Sequence, residues 1–239
     1  MVLPRAIYNH AVVINGCTLG TFDIPTLQRH FTVYRLIALG FDVNYQNMED
    51  SQFYLNTPLI NAIDFDCNEL VEVLLANGAN PSIRCASMTA LQVAASVGSI
   101  STAASLIQWG ADVSSSAVTS DPSESSLGLA LSNGNMNIAR MLLQCCCTGT
   151  CRPADVDSFV ESLGLEQYCI DEEVTEIKDL LMRNCSNARP LMLLCRSTIT
   201  HTFMRNHKSL SHVAQLSLPT KLKNFIRFKE LDCYKYMDP

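Results

Sequence analysis

Three segments of this 239-residue chain align with one another without gaps, and this internal repetition constrains the fold more than any other feature. The segments begin at Thr57, Thr89 and Ser125, which are 32 and 36 residues apart. A repeated helical unit of this length buries its apolar face only against its neighbours, so the spacing predicts a stack of similar helical hairpins. The matching apolar positions are Leu59, Leu91 and Leu127; Ala62, Ala94 and Ala130; and Leu74-Leu75, Leu106-Ile107 and Leu142-Leu143.

Helix-boundary signals recur at fixed places in these segments. Thr57 and Pro58 predict an N-cap followed by proline at the first helical position. Gly78 and Gly110 follow the second predicted helix of their units, where a left-handed C-cap favours glycine, and the third segment has Cys146 there. The signals therefore indicate two helices and a closing turn in each unit.

Together these residues resemble ankyrin repeats, which share the Thr-Pro-Leu opening, the Leu-Leu pair and the closing Gly-Ala-Asn/Asp turn. The resemblance covers about residues 20–150, and "LIALGFDVN" at residues 36–44 is an earlier copy of the same ending. It implies an all-α, ankyrin-repeat solenoid of about four helical hairpins with β-turn fingers, of which the first and the last are atypical.

Two further helices are predicted between residues 153 and 187. Val174, Ile177, Leu180 and Leu181 lie there at helical spacing, which is typical of a helix with one buried face. We interpret this pair as a degenerate repeat that caps the stack.

The charge of the chain changes sign close to this pair. The net charge is −6, yet no acidic residue lies between Asp179 and Glu230, so the C-terminal part is basic. Such a switch predicts a boundary between modules near residue 185. No motif that reads RNA or DNA accompanies the basic part, which disfavours nucleic-acid binding.

The segment "RPLMLLCRSTI", Arg189 to Ile199, carries an apolar stripe if it is helical. Leu191, Cys195 and Ile199 are four residues apart, and Leu194 lies beside them. The motif "LSLPTKLKNFI" follows at residues 216–226. These two motifs, in this order after ankyrin repeats, resemble the BC box and the cullin box of a SOCS box, the arrangement of the ankyrin repeat and SOCS box (ASB) family.

The resemblance implies a small three-helix SOCS box that docks Elongin C, together with Elongin B, and recruits cullin-5 with its RING subunit. Ser217 stands where the family's cullin box has its first proline. The alternative is that the stripe only caps the ankyrin stack. The predicted Elongin C-binding residues are Leu191, Leu194, Cys195 and Ile199, and the predicted cullin-binding residues are Leu216, Leu218, Pro219, Leu222 and Phe225.

Four regions follow from these interpretations. The ankyrin repeats are assigned to residues 1–152 and the degenerate capping repeat to residues 153–187. The SOCS box is assigned to residues 188–231, and residues 232–239 form a tail.

Substrate contacts are expected on the concave side and the turn fingers of the repeats, because such loops vary while the helices hold the frame. The simpler interpretation is that Phe53 and Tyr54 pack their own loop and that Trp109 covers a junction between repeats. The candidate substrate-binding residues are Phe41, Asp42, Tyr45, Phe53, Tyr54, Trp109 and Asp112.

The predicted function is that of a substrate-recognition subunit in an Elongin–cullin-5–RING ubiquitin ligase, which promotes ubiquitination and proteasomal degradation of an unknown protein.

We expect no catalytic residue, metal or cofactor, because the histidines lack metal-ligand spacing and no phosphate loop or nucleophile elbow is present. The cluster Cys145 to Cys151 lacks zinc-site spacing. No apolar run is long enough for a membrane span, so we expect a cytoplasmic protein, with the nucleus as a second compartment. The alternative function is a non-catalytic ankyrin scaffold whose SOCS-like tail packs on the repeats or binds Elongin without assembling a ligase.

Overall fold

A computed structural model of the chain contains only helices as regular elements among the residues that it describes. The β pairing recorded there is an isolated bridge between Cys85 and Met88. The all-α prediction is therefore confirmed.

The chain divides into two compact units, the first ending at Ala90 and the second beginning at Leu91. The described residues are 37, 38, 40, 42–46, 57–64, 66–85, 88–113, 122–145, 156–162, 171–186, 195, 196, 198–200, 202, 203 and 210–236.

Three pairs of short helices correspond to the three aligned segments. A further pair and the C-terminal elements follow them. The α-helices are α1 (Pro58–Asp64), α2 (Asn68–Ala76), α3 (Ala90–Val97), α4 (Ile100–Gln108), α5 (Ser126–Ser132), α6 (Met136–Gln144), α7 (Val156–Ser162), α8 (Asp171–Ser186) and α9 (Thr220–Ile226), and 3-10 helices span Pro122–Glu124, Leu210–Gln215 and Lys229–Tyr236.

Side-chain caps begin the first helix of two of these pairs. Helix α1 starts at Pro58, and the Ile60 N–H donates to Thr57 Oγ1 over 3.3 Å. Before α5, the Gly128 N–H donates to Ser125 Oγ over 3.0 Å. Each hydroxyl satisfies an N–H group that has no partner within its own helix. The N-cap predicted at Thr57 is thus confirmed, and the structure adds an equivalent cap at Ser125.

Glycine closes α2 and α4 in the left-handed conformation that the sequence predicts. Gly78 has φ +92° and Gly110 has φ +100°. After Gly78, the Ala79 N–H donates to the Leu74 carbonyl over 2.9 Å, and the Ala111 N–H makes the equivalent 2.8 Å bond to Leu106. This pattern is the Schellman motif, which satisfies carbonyls at the helix end and turns the chain toward the next repeat.

The repeated apolar positions form the core of each unit. The recurring alanine of the first helix is fully buried at Ala62, Ala94 and Ala130. Alanine at this position lets the paired helices approach closely, because it has no side chain beyond Cβ. The recurring leucine two residues after each segment start is also buried, at Leu59, Leu91 and Leu127.

Helices α7 and α8 confirm that residues 153–187 contain two helices. Val174, Ile177 and Leu181 are buried, at the spacing of one helical face. The Arg140 guanidinium of α6 lies 2.6 Å from the Glu176 carboxylate of α8, which ties this pair to the repeat before it. The interpretation of α7 and α8 as a degenerate repeat, and the four region boundaries, stay predictions.

Candidate functional site

The candidate BC box contributes one helical segment to the second unit. The structure describes it at residues 195, 196, 198–200, 202 and 203, which we call the BC segment. Arg196 and Thr200 are buried, whereas Cys195 is exposed and Ile199 is half-buried. Residues four apart share a helix face, so the two pairs define an inward face and an adjacent outward one. Leu191 and Leu194 lie outside the described residues.

Arg196 fastens the BC segment to the elements that follow it. Its guanidinium carbon lies 4.4 Å from the ring centre of Phe225 and 4.0 Å from that of Phe228. One guanidinium nitrogen donates to the Phe225 carbonyl over 3.3 Å and also to the Glu230 carboxylate. A planar cation can stack on aromatic rings while its edge donates hydrogen bonds, so one side chain joins three elements.

This role of Arg196 was missed in the sequence, where the residue only marks the edge of the apolar stripe. The available signal was Glu230, the first acidic residue after Asp179. An acidic residue at the end of a basic segment is a natural partner for a buried arginine, since a buried charge is costly unless it is paired. The position of Glu230 in the sequence does not indicate which arginine or lysine it pairs with.

The candidate cullin box lies on the Leu210–Gln215 3-10 helix, the turn after it and α9. Leu210 and Val213 are fully buried, which anchors the 3-10 helix. The exposed large hydrophobic side chains of the described residues are Val97, Met182, Leu216 and Leu222, of which two belong to this box. Pro219 is exposed, while Leu218 and Phe225 are half-buried.

Ser217 occupies the centre of a tight turn. The Leu218 N–H donates to the Leu216 carbonyl over 2.9 Å, which makes a three-residue γ-turn. Among the described residues other than glycine, only Asp66 and Phe228 have positive φ, so Ser217 has negative φ and the turn is the inverse γ type. That type has a central φ of about −75°, close to the value of about −65° that proline imposes. The turn does not use the Ser217 N–H.

The candidate substrate-binding residues that the structure describes fall in separate units. In the first, Asp42 is exposed and Tyr45 is half-buried. Their turn is held by Asn44, whose amide donates to the Gly78 carbonyl over 3.2 Å and accepts from the Asn80 N–H over 2.7 Å. In the second unit, Trp109 and Asp112 are half-buried, and Trp109 is the C-cap of α4. Phe41, Phe53 and Tyr54 lie outside the described residues.

The part of the chain that the structure describes contains no group of three or more His, Cys, Asp and Glu side chains that could hold a metal ion. None of its helices has both the length and the apolar character needed to cross a membrane.

Comparisons with known proteins agree with both resemblances. The family model of ankyrin repeats matches residues 27–117 in three copies. The family model of the SOCS box matches residues 187–227. The first match includes the early copy at residues 36–44 and ends before α5. Helices α5 and α6 nevertheless form a pair of the same kind, with the Ser125 cap before α5. No curated protein matches the chain significantly.

Proposed function

Because this chain is an ankyrin repeat and SOCS box protein, we propose that it is the substrate-recognition subunit of an Elongin B/C–cullin-5–RING ubiquitin ligase. Ankyrin repeats and SOCS boxes are interaction modules, and together they fit a substrate receptor of a cullin–RING ligase. In this proposal the chain has no catalytic role. It acts in the cytoplasm, where it holds a target protein close to the conjugating enzyme that the RING subunit recruits, and the target is then degraded.

The outward face of the BC segment is the observation that carries this proposal. Arg196 is 3% exposed, while Cys195 beside it is exposed. A face that the chain leaves uncovered, next to a face that it buries, is suited to a helix-in-groove contact with Elongin C. Cys195 and Ile199 supply apolar contacts to that groove, and Leu191 and Leu194 extend the stripe in the proposal.

The second half of the SOCS box supports cullin recruitment. Leu216 and Leu222 are 38% and 42% exposed, although both are large apolar side chains. Exposed leucines near an exposed proline are suited to a protein interface, where apolar anchors lose their contact with water. We therefore assign the cullin contact to Leu216, Leu218, Pro219 and Leu222. Phe225 contributes its free edge, since one face of its ring packs on Arg196.

The scaffold function is the second candidate, and two observations favour it. Ser217 replaces a proline of the cullin box, and the C-terminal 3-10 helix packs on α4 within the second unit. A SOCS-like tail that only packs on the repeats would leave the chain without a cullin.

Copurification separates the two functions. The tagged full-length chain is expressed with Elongin B, Elongin C, cullin-5 and its RING subunit, and the purified complex is sized by light scattering. We expect all five proteins to elute together. Elongin B/C without cullin-5 would instead support the scaffold, and the absence of both would refute the proposed function.

Ser217→Pro should tighten binding of cullin-5 to the chain–Elongin B/C complex. The inverse γ-turn has a φ that proline adopts, and it does not use the Ser217 N–H, so the substitution removes other loop conformations that the unbound chain would have to give up on binding. Such restriction contributes about 0.4–1 kcal/mol, which corresponds to roughly two- to fivefold in the dissociation constant. Biolayer interferometry with purified cullin-5 measures the change, and Ser217→Ala is the matched control. Weaker binding by the proline variant would mean that the bound turn differs from the free one.

Replacing Phe53 and Tyr54 together by alanine should reduce substrate capture and leave Elongin B/C capture intact. Aromatic anchors supply much of the binding energy in protein interfaces, typically at least about 2 kcal/mol for a central one. Proximity labelling in cells compares the partners of the double variant with those of the wild type, and Trp109→Ala is tested in parallel. Identical partner sets for wild type and double variant would remove this surface from the proposal.

A further inference from the structure

The C-terminal 3-10 helix touches two ankyrin helices at equivalent places. The Gln108 side-chain amide donates to the Phe228 carbonyl over 3.1 Å and to Asp232 Oδ1 over 2.7 Å. The Tyr234 hydroxyl donates to Gln144 Oε1 over 3.1 Å. Gln108 and Gln144 are the last residues of α4 and α6, so they occupy matching positions in consecutive repeats. The first aligned segment has the exposed Ala76 at that position.

Residues at the start of the same 3-10 helix contact Arg196 of the BC segment. Phe228 packs its ring on the Arg196 guanidinium, and the Glu230 carboxylate accepts a hydrogen bond from that group. Leu231 is buried, and Phe228 has φ +51°, a left-handed conformation that residues with side chains rarely adopt. Such a conformation persists only where surrounding contacts hold it, which here come from both Arg196 and Gln108.

Asp232 is held as a carboxylate between two donors. Partial burial alone would raise the pKa of the Asp232 carboxyl. The hydrogen bond from Gln108 and the nearby Lys229 ammonium nevertheless keep this pKa below its usual value. Lys229 Nζ lies 3.0 Å from Asp232 Oδ2, on the opposite oxygen from Gln108. The Gln108 contact is therefore a charge-assisted hydrogen bond, which is stronger than a neutral one.

We propose that residues 228–236 form a brace that fixes the BC segment and α9 against the last residues of α4 and α6. The segment lies beyond the residues that match the SOCS-box family model, which end at 227. Gln108 and Gln144 are the positioning residues of the brace on the ankyrin side, and Arg196 on the SOCS-box side. The consequence rests on the proposed function: the brace determines where Elongin and cullin sit relative to α4 and α6 of the second unit, because it removes the freedom of the BC segment and α9 to rotate.

Gln108→Glu tests the brace most directly, because a carboxylate cannot donate to Phe228 or Asp232 and repels the latter. Asp232→Asn in the same chain restores an amide–carboxylate pair with donor and acceptor exchanged. Ala76→Glu introduces the same carboxylate at the equivalent position of the first segment and is the matched control. Elongin B/C capture is measured on every variant, and should be equal in all, because the BC segment is unchanged.

The readout is the distance between spin labels at Val97 of α3 and Asn224 of α9, both exposed, in the full-length chain with and without Elongin B/C. The labels are attached to encoded keto amino acids, since the chain has 11 cysteines. We expect a narrow distance distribution in the wild type, a broadened one in Gln108→Glu, and a narrow one again when Asp232→Asn is added. An unchanged distribution in Gln108→Glu, or equal broadening in the double variant or in Ala76→Glu, overturns the brace.

Tyr234→Phe provides a second variant in case Gln108→Glu fails to fold, because it removes only one hydroxyl. Hydrogen exchange of the amides at residues 229–236 should accelerate about fivefold, the factor that corresponds to one neutral hydrogen bond. An unchanged exchange rate would overturn the role of the Tyr234–Gln144 contact in the brace. Failure of the wild-type chain to capture Elongin B/C would refute the proposed function alone, since both readouts are also obtained without partners.

Discussion

Cys195→Asp is expected to abolish capture of Elongin B/C by an otherwise intact chain, and Leu191→Asp should do the same. Cys195 is exposed in the free chain, so aspartate there is solvated and costs little folding free energy. In the complex the same carboxylate would be buried in an apolar groove without a partner. A cost of at least about 3 kcal/mol at such an anchor weakens binding by roughly two orders of magnitude.

Coexpression with Elongin B/C, followed by pull-down and titration calorimetry, measures this loss. Asn224→Asp is the matched control, because it adds the same charge at an exposed position of α9 outside the BC segment. The circular dichroism spectrum should be the same for all these variants. Undiminished capture by the Cys195 and Leu191 variants would mean that the BC-box assignment is wrong.

Arg196→Ala should destabilise the C-terminal module, by which we mean the BC segment and residues 210–236, more than any surface substitution in it. The change removes a guanidinium that stacks on two rings and donates to the Phe225 carbonyl and the Glu230 carboxylate. Hydrogen bonds from charged groups contribute about 1.5–3 kcal/mol each. Because the Glu230 side chain is 48% exposed and becomes solvated, we expect a net loss of about 2–4 kcal/mol.

Hydrogen exchange at residues 210–236 reports this loss locally, while α1 to α6 act as an internal reference. Arg196→Lys separates charge from shape, because lysine keeps the positive charge but lacks the planar fork that stacks and donates in several directions. We expect lysine to recover less than half of the lost stability. Unchanged exchange in Arg196→Ala would show that the module is held by its apolar residues alone.

Most of the ankyrin part could be predicted from the sequence, because its determinants are local and periodic. The Thr57 cap acts on an amide three residues away, and Gly78 acts within the turn that it occupies. The buried alanines recur at a fixed offset, and each occupies the same contact in its own unit. Interactions of this range leave a spacing that can be read along the chain.

The binding role of the candidate SOCS-box residues stays a prediction, and only the exposure of some of them followed from the sequence. Leu216 and Leu222 are exposed in the structure, as side chains proposed for a partner would be, and Cys195 is exposed as well. Phe225 has the same apolar character in the sequence, yet one side of its ring packs on Arg196. The spacing of residues along a short helix predicts which helix face carries Phe225. It does not predict that Arg196 covers part of the Phe225 ring.

The sequence by itself determined the repeats, their caps and turns, and the apolar stripes of the C-terminal motifs, since each depends on residues a few positions apart. Only the tertiary structure decided that Arg196 is buried against two aromatic rings and that Gln108 binds the C-terminal 3-10 helix. Gln108 and Phe228 are separated by 120 residues in the chain, and 3.1 Å separates their bonded atoms. No periodicity connects residues that far apart, because their meeting depends on how whole helices pack and on which polar groups that packing leaves to be paired.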